Sequence, residues 1–470
     1  MNVAGDSGRL QRIIVVLAAA LLMTWLAVYN GYALIYPDSM SYLSDGMAAG
    51  RAVLHHGFSY EYGRSPLYSL VLLPLHRNVT PWPIVAWNAL LTAYVLWLVV
   101  RSVLSRRTLS AYLSLVAALC LFTDLAWFVA LIMPDILGPV LYLSIYLMVF
   151  AWDTLSRAER VAIPLLAWWA VASHASHLIL AGGLCLFLPP FLALRREPAR
   201  QWLSAVGRVA MVVGLAAAAQ VGLNTYLYGK PSLSGRRPPF LMARVIADGP
   251  GRLYLQQHCA TAHWSICDHL RELPDNVETF LWATDGIWIS ASEDGQDSLR
   301  EDERPVVLGT VREFPGEELR LSASHFWRQL HTFGLGGYGP KPWVLQMFDS
   351  VLAGTRERYL RSRETHLTLH EEFFASVQDV TVIFSVLVIG LWTLRTRRMR
   401  RKWPPRLIGL TTVIAFVVIA NAAVTGILAN VEPRYQARVI WLVPLLAGVC
   451  LLAWLDQRRI ADGPLVAKES

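Results

Sequence analysis

QRIIVVLAAALLMTWLAVYNGYALIYPDSMSYL, residues 11–43, passes from a cationic start through an unbroken apolar stretch to a carboxylate. After Arg12 no charge appears until Asp38, and a bilayer-crossing helix needs about 17–25 mostly apolar residues. The stretch 11–33 therefore predicts a spanning helix. It is longer than the apolar part of a signal peptide, and Gly31-Tyr32-Ala33 only weakly resembles a small-x-small cleavage site, so the helix is expected to stay uncleaved. Arg9 and Arg12 set its start on the cytoplasmic side. Asp38 then stands where the chain leaves the bilayer.

The same pattern recurs along all 470 residues. Hydrophobic residues make up 55% and charged residues 16%, where globular proteins carry about 25% charged. That excludes a disordered chain and argues against a water-soluble enzyme. Further spans are expected at 82–104, 109–127, 136–152, 161–174, 177–194, 204–224, 378–395, 406–429 and 437–455. The 161–194 stretch reads as two spans broken at Ser173–His177, or as one span and a partial one. The run 65–75 is too short to cross and contains Pro66 and Pro74, so it is expected to lie in the interface. The net charge is +8, and 38 of the 42 basic residues are Arg, a usage that points to a GC-rich bacterial genome. The Arg clusters at 101–107, 157–160, 195–200, 395–406 and 458–459 flank apolar runs, so a membrane explains them and nucleic acid does not. All fall on one side if about ten helices alternate. The fold class expected is an all-α polytopic membrane protein with both termini cytoplasmic, in a bacterial inner (plasma) membrane.

Four regions follow. Residues 1–224 form an N-terminal transmembrane module that includes a first outer loop, 34–81. Residues 225–377 form a polar periplasmic domain inserted before the eighth span, and helical periodicity is hard to find in it before about 320. Residues 378–456 supply the last spans, and 457–470 a cytoplasmic tail. No internal repeat is visible. Cys120, Cys185 and Cys450 lie in apolar spans, whereas Cys259 and Cys267 lie in the outer domain. An oxidising periplasm lets those two pair as a disulfide. Two free thiols, or a metal site with His258, His263 and His269, are the other readings.

Chemistry-bearing residues gather at the outer ends of the spans. Asp38 is either a helix cap before Met40–Met47 or a partly desolvated general base. Arg64, in Tyr62-Gly63-Arg64-Ser65-Pro66-Leu67-Tyr68, suits a phosphate or a lipid headgroup. Asp135 follows Met133-Pro134 at the edge of an apolar run, with Asp124 and Trp127 shortly before it. His174 and His177 interrupt an apolar run near the same face, either as substrate contacts or as hydrogen-bonded interfacial groups. Arg434 and Arg438 break the positive-inside trend around Tyr435 and invite an anionic partner. A lipid-linked phosphosugar needs such a set: arginines for the phosphate and a carboxylate for the acceptor's proton. A divalent cation (Mg or Mn) would take Asp38 and Asp135 as ligands, although the sequence does not require one.

In this order and placement, the motifs resemble the polytopic glycosyltransferases of the GT-C superfamily, which include protein O-mannosyltransferases and the aminoarabinose and lipopolysaccharide-core sugar transferases. Asp38-Ser39-Met40-Ser41-Tyr42 is similar to the family's Asp after the first span with a Tyr four residues on. Arg64-Ser65-Pro66-Leu67-Tyr68 is similar to its R-x-P-x-Y segment, with Ser69 where Pro often follows. Pro134-Asp135 resembles its second acidic site, and Arg434-Tyr435 its late Arg-Tyr motif. The resemblance covers residues 10–225 and 378–456. It implies inverting transfer from a polyprenyl-phosphate sugar to a lipid, glycan or protein acceptor at the periplasmic face, with Asp38 and Asp135 catalytic and Tyr42, Arg64, Tyr68, Arg434, Tyr435 and Arg438 binding substrate. The alternatives are a lipid-linked saccharide transporter or flippase, and an O-antigen ligase- or polymerase-like enzyme using Arg244, Arg252, His258 and His325 of the large outer domain. A non-catalytic assembly factor has no positive feature in its favour.

Overall fold

A computed structural model describes residues 3–55, 64–104, 108–398 and 403–461. Tyr62 and Gly63, Arg106 and Arg107, part of the 395–406 basic run and residues 462–470 of the tail lie outside the described residues. Among those described, the chain is helical without strands.

In chain order the main helices are α1 (Val3–Met23), α2 (Pro37–His55), α3 (Pro66–His76), α4 (Trp82–Val103), α5 (Thr108–Phe122), α6 (Leu137–Phe150), α7 (Glu159–Ser173), α8 (Ala175–Leu194) and α9 (Ala199–Tyr228). Then come α10 (Phe240–Ala247), α11 (Pro250–Ala262), α12 (Glu293–Glu313), α13 (Pro315–His331), α14 (Pro342–Val351), α15 (Glu371–Arg398), α16 (Pro405–Leu428), α17 (Pro433–Ile440) and α18 (Leu442–Ala461). Several open with Pro in the first turn, where the missing N–H has no helical partner to lose.

Among the described residues, seven helical stretches are long and apolar enough to cross a membrane: Gly8–Asn30, Trp82–Val103, Ala175–Leu194, Ala199–Tyr228, Glu371–Arg398, Pro405–Leu428 and Pro433–Asp456. Of the three other expected spans, two coincide with shorter apolar helices, Leu109–Phe122 and Pro134–Phe150, and the third with the 15-residue helix Glu159–Ser173. The last ends at Ser173 and α8 restarts at Ala175, so the 161–194 run is two helices with His174 at the break.

Burial shows which solvent the bundle is built for. α6 is buried on every side from Leu137 to Met148 and forms its axis. α15 is inverted relative to a water-soluble helix. Val380, Ile383, Phe384, Leu387, Leu391 and Leu394 are each more than half exposed, while Gln378, Ser385 and Thr396 face inward. An apolar stripe of that extent facing outward is a membrane surface.

The inserted segment divides by its packing. Met242, Ile246, Leu255, Ile266, Phe280 and Val306 form a small core of their own, and Cys259 and Cys267 form a disulfide beside it. Val344, Phe348, Val351 and Tyr359 instead join the core of the bundle. The weak periodicity noted before residue 320 hides a 21-residue helix, α12. Its buried positions, Leu299, Asp302, Glu303, Val306 and Thr310, follow helical spacing, but two are carboxylates. Asp302 accepts from the Ile266 N–H at 3.0 Å, and Glu303 pairs with Arg237 at 2.6 Å. The buried face is therefore polar by design and invisible to a hydrophobic pattern.

Candidate functional site

Two backbone bonds set the site. The Leu34 N–H donates to the Ala130 carbonyl at 3.0 Å, and the Ile132 N–H donates to the Leu34 carbonyl at 3.1 Å. The pairing is parallel, so both segments leave it in one direction. One delivers Tyr36-Pro37-Asp38 and the other Pro134-Asp135 to the same end of the bundle.

Asp38 lies in the first turn of α2 and does not cap it. Its carboxylate pairs with the Arg64 guanidinium, which precedes α3. α2 and α3 pack as a hairpin whose close approach depends on Gly46, where a Cβ would sit 2.5 Å from the Ser69 carbonyl oxygen. Arg64 also stands over the Tyr42 ring, 5.7 Å from its centre. Tyr42 meets Tyr68 edge-on at 5.0 Å, and Tyr68 stacks on Trp169 at 6.2 Å. Both tyrosines are buried, so they build the wall beneath the ion pair.

Asp135 faces two guanidiniums. Arg434 approaches it at 3.3 Å and Arg438 at 3.6 Å, and its side chain is only 4% exposed. These arginines stand one helical turn apart on α17, so one face of a helix presents both. Arg434 lies over the Tyr36 ring at 4.1 Å and beside Tyr435 at 5.5 Å. Arg438 donates to Ser176 Oγ at 3.1 Å and to Asn421 Oδ1 at 3.0 Å. Asn421 in turn donates to the Tyr435 carbonyl at 2.8 Å and to Gln436 Oε1 at 2.9 Å. His174 bonds Ser176, and His177 bonds the Ala170 carbonyl at 2.8 Å.

The structure thus brings Asp38, Arg64, Asp135, Arg434, Tyr435, Arg438 and His174 to one end of the bundle. Four contributors carried no sequence-level assignment: Tyr36, Ser176, Asn421 and Gln329. A signal existed for Asn421, a buried amide inside the apolar run 406–429. Gln329 announces nothing in sequence. It lies on α13, fully buried, and its amide donates to the Glu432 carbonyl and accepts from the Glu432 N–H, both at 2.9 Å. That clamp holds the turn leading into Arg434.

Of the residues that would serve a site in the outer domain, Arg244 and His325 meet on Asp248, while His258 and Arg252 bond other groups. Arg244 pairs with Asp248 and Glu318, His325 with Asp248 at 2.8 Å, and His258 with Glu313 at 2.9 Å. Arg252 donates to the Leu273 and Pro274 carbonyls. Asp124, between α5 and α6, is bound by the Gln378 side chain.

Among the described residues, no group of three or more His, Cys, Asp or Glu is placed to hold a metal ion. The donor set of Asp38 and Asp135 does not fit a divalent cation, because each carboxylate already faces a guanidinium and three positive charges stand around them. The same arrangement suits an anion: three guanidiniums meet two carboxylates, with neutral donors between them. No family model, curated protein or solved structure matches the chain.

Proposed function

We propose that this chain is an inverting glycosyltransferase of the GT-C kind, taking its sugar from a polyprenyl-phosphate donor. One observation carries the proposal. Arg64 lies hundreds of residues before Arg434 and Arg438, yet all three converge with Asp38 and Asp135 at one end of a helix bundle.

In this mechanism the donor phosphate lies among the arginines and its polyprenyl chain runs into lipid. Asp38 takes the proton of an acceptor hydroxyl as that oxygen attacks the anomeric carbon. The new carbon–oxygen bond forms as the bond from that carbon to the phosphate oxygen breaks, and the electron pair leaves with the phosphate. The phosphate gains a second negative charge, which the guanidiniums meet without reorganising. Arg64 pairs with the Asp38 carboxylate and fixes its position. Asp135 orients Arg434 and Arg438. No step passes through a metal.

We place the Asp38 end in the periplasm of a bacterial inner membrane, with about ten passes and both termini in the cytoplasm. Support comes from the opposite end, where Arg101, Arg160, Arg195 and Arg406 lie near helix ends. The disulfide in the domain beside the Asp38 end agrees with an oxidising compartment. Lipid, glycan and protein hydroxyls all fit as acceptors.

The test is a strain lacking the gene, complemented with wild type, Asp38→Asn or Arg434→Ala, with expression checked by blot. The expected result is loss of one envelope glycan with both variants and its return with wild type. Full glycan with Asp38→Asn would leave the carboxylate a structural partner of Arg64 and return the outer-domain ligase and the transporter to consideration.

A further inference from the structure

His174 is the N-cap of α8. Its Nδ1 accepts from the Ser176 N–H at 3.2 Å, and the same nitrogen lies 2.8 Å from Ser176 Oγ. An Nδ1 that accepts a backbone N–H carries no proton, so a neutral ring bears its hydrogen on Nε2. Ser176 Oγ accepts from Arg438 and so directs its own hydrogen to Nδ1. Arg438, Ser176 and His174 form a relay with one direction. Among the described residues Nε2 has no hydrogen-bond partner.

The surroundings keep the ring neutral. Arg438, Arg64 and Arg434 lie around the ring, and their charges disfavour a further cation there. A neutral N–H thus stands among three guanidiniums, where a fourth cation would be repelled. The hydrogen bonds that fix the ring all lie on its far side, toward α8.

We propose that His174 Nε2–H is an uncharged donor to a non-bridging phosphate oxygen, which makes His174 a substrate-contacting residue of the anion seat. This rests on the proposal that the site binds a polyprenyl phosphate. A neutral donor adds recognition without raising the charge that the departing phosphate must leave behind.

Two substitutions separate this role from the cap. Asn is a good N-cap but lacks the reach of Nε2, whereas Gln extends an amide donor farther and caps poorly. The purified full-length protein in nanodiscs is titrated with a long-chain polyprenyl monophosphate, and separately with the free polyprenol and with inorganic phosphate. Wild type is expected to bind the monophosphate and not the polyprenol. His174→Asn, at a wild-type unfolding midpoint, is expected to bind the monophosphate about tenfold more weakly. His174→Gln is expected to stay within about threefold of wild type. Wild-type affinity in His174→Asn, or a tenfold loss in His174→Gln at a wild-type midpoint, overturns the role of His174. Equal wild-type binding of monophosphate and polyprenol instead overturns the underlying proposal of an anion seat. Binding of inorganic phosphate alone would assign the seat to a soluble anion.

Discussion

Asp135 shows how much one buried carboxylate decides. With its side chain 4% exposed and Arg434 and Arg438 at 3.3 and 3.6 Å, it supplies the negative charge that both guanidiniums face. Removing one partner of a buried ionic group leaves the others unpaired and costs about 3–5 kcal/mol. Asp135→Asn is therefore expected to lower the unfolding midpoint in detergent clearly, and Asp38→Asn, whose pair is about a quarter exposed, to lower it less. A scan of the purified variants distinguishes the two, and equal midpoints would contradict the placement of Asp135. At this scale the sequence was informative where a charge stood against an apolar background. Asp38, Asp135, Arg434 and Arg438 all stand out in that way. Tyr36 did not, because a Tyr at a membrane boundary has an ordinary role as an anchor, and only the fold places Arg434 over its ring. Nor could the sequence reveal that Arg64 pairs with Asp38, since that contact depends on the α2–α3 hairpin.

Helices carry the site's coupling to the outer domain. α13 lies against α16 where Gly426 leaves no room: a Cβ there would sit 2.8 Å from the His325 carbonyl oxygen. From that seat Gln329 clamps the backbone of Glu432, two residues before Arg434. Gln329→Leu leaves a buried N–H and carbonyl unpaired, at a cost of about 1–3 kcal/mol. Transfer activity should fall about tenfold or more with expression intact, and Gln329→Glu, which can still accept from the Glu432 N–H, should fall less. Wild-type rates in Gln329→Leu would mean the clamp does not position Arg434. A second link joins residues 356–369 to the end of the first span. Glu364, fully buried, accepts from the Ile35 N–H and the Tyr359 hydroxyl, both at 3.2 Å, and burial pushes its pKa up to about 8. The folded state holds this proton more tightly than the unfolded state, whose carboxyl titrates near 4.5. Its contribution is complete below about pH 4.5 and is lost as pH rises to about 8. The protection factor of the Ile35 amide, with the intrinsic base catalysis of exchange divided out, should fall over that window, and Glu364→Gln should make it independent of pH there. Among the elements, the spans were legible because apolar length alone marks them. α12 was not, because its buried face is built on Asp302 and Glu303.

The whole molecule is organised by which end faces what. The exposed apolar stripe of α15 and the fully buried α6 describe a bundle whose outside is lipid and whose axis is packed side chains. Ion pairs such as Arg101–Glu159 and Arg406–Asp153 tie the end opposite Asp38. If positive charge marks the cytoplasm, Ser234→Cys should react with a membrane-impermeant thiol reagent in intact spheroplasts, and Arg196→Cys only after lysis. The reverse pattern would invert the molecule and move the site to the cytoplasm. A helical chain with several membrane-length apolar helices could be read from hydropathy. The division of the inserted segment, with residues 344–359 joining the bundle and 242–306 standing apart, depends on long-range packing that no local pattern reports. If Asp38 takes the acceptor's proton during transfer from a bound lipid-phosphate sugar, its loss slows the transfer without weakening donor binding. The most direct test follows release of polyprenyl phosphate from a polyprenyl-phosphate sugar by purified wild type and Asp38→Asn, with solubilised envelope material from the strain lacking the gene supplying the acceptor hydroxyl, and with donor binding measured on the same samples. Asp38→Asn should bind the donor as wild type does and release product about a hundredfold more slowly or worse. Equal release by both proteins would contradict the claim and leave Asp38 as the partner of Arg64 alone.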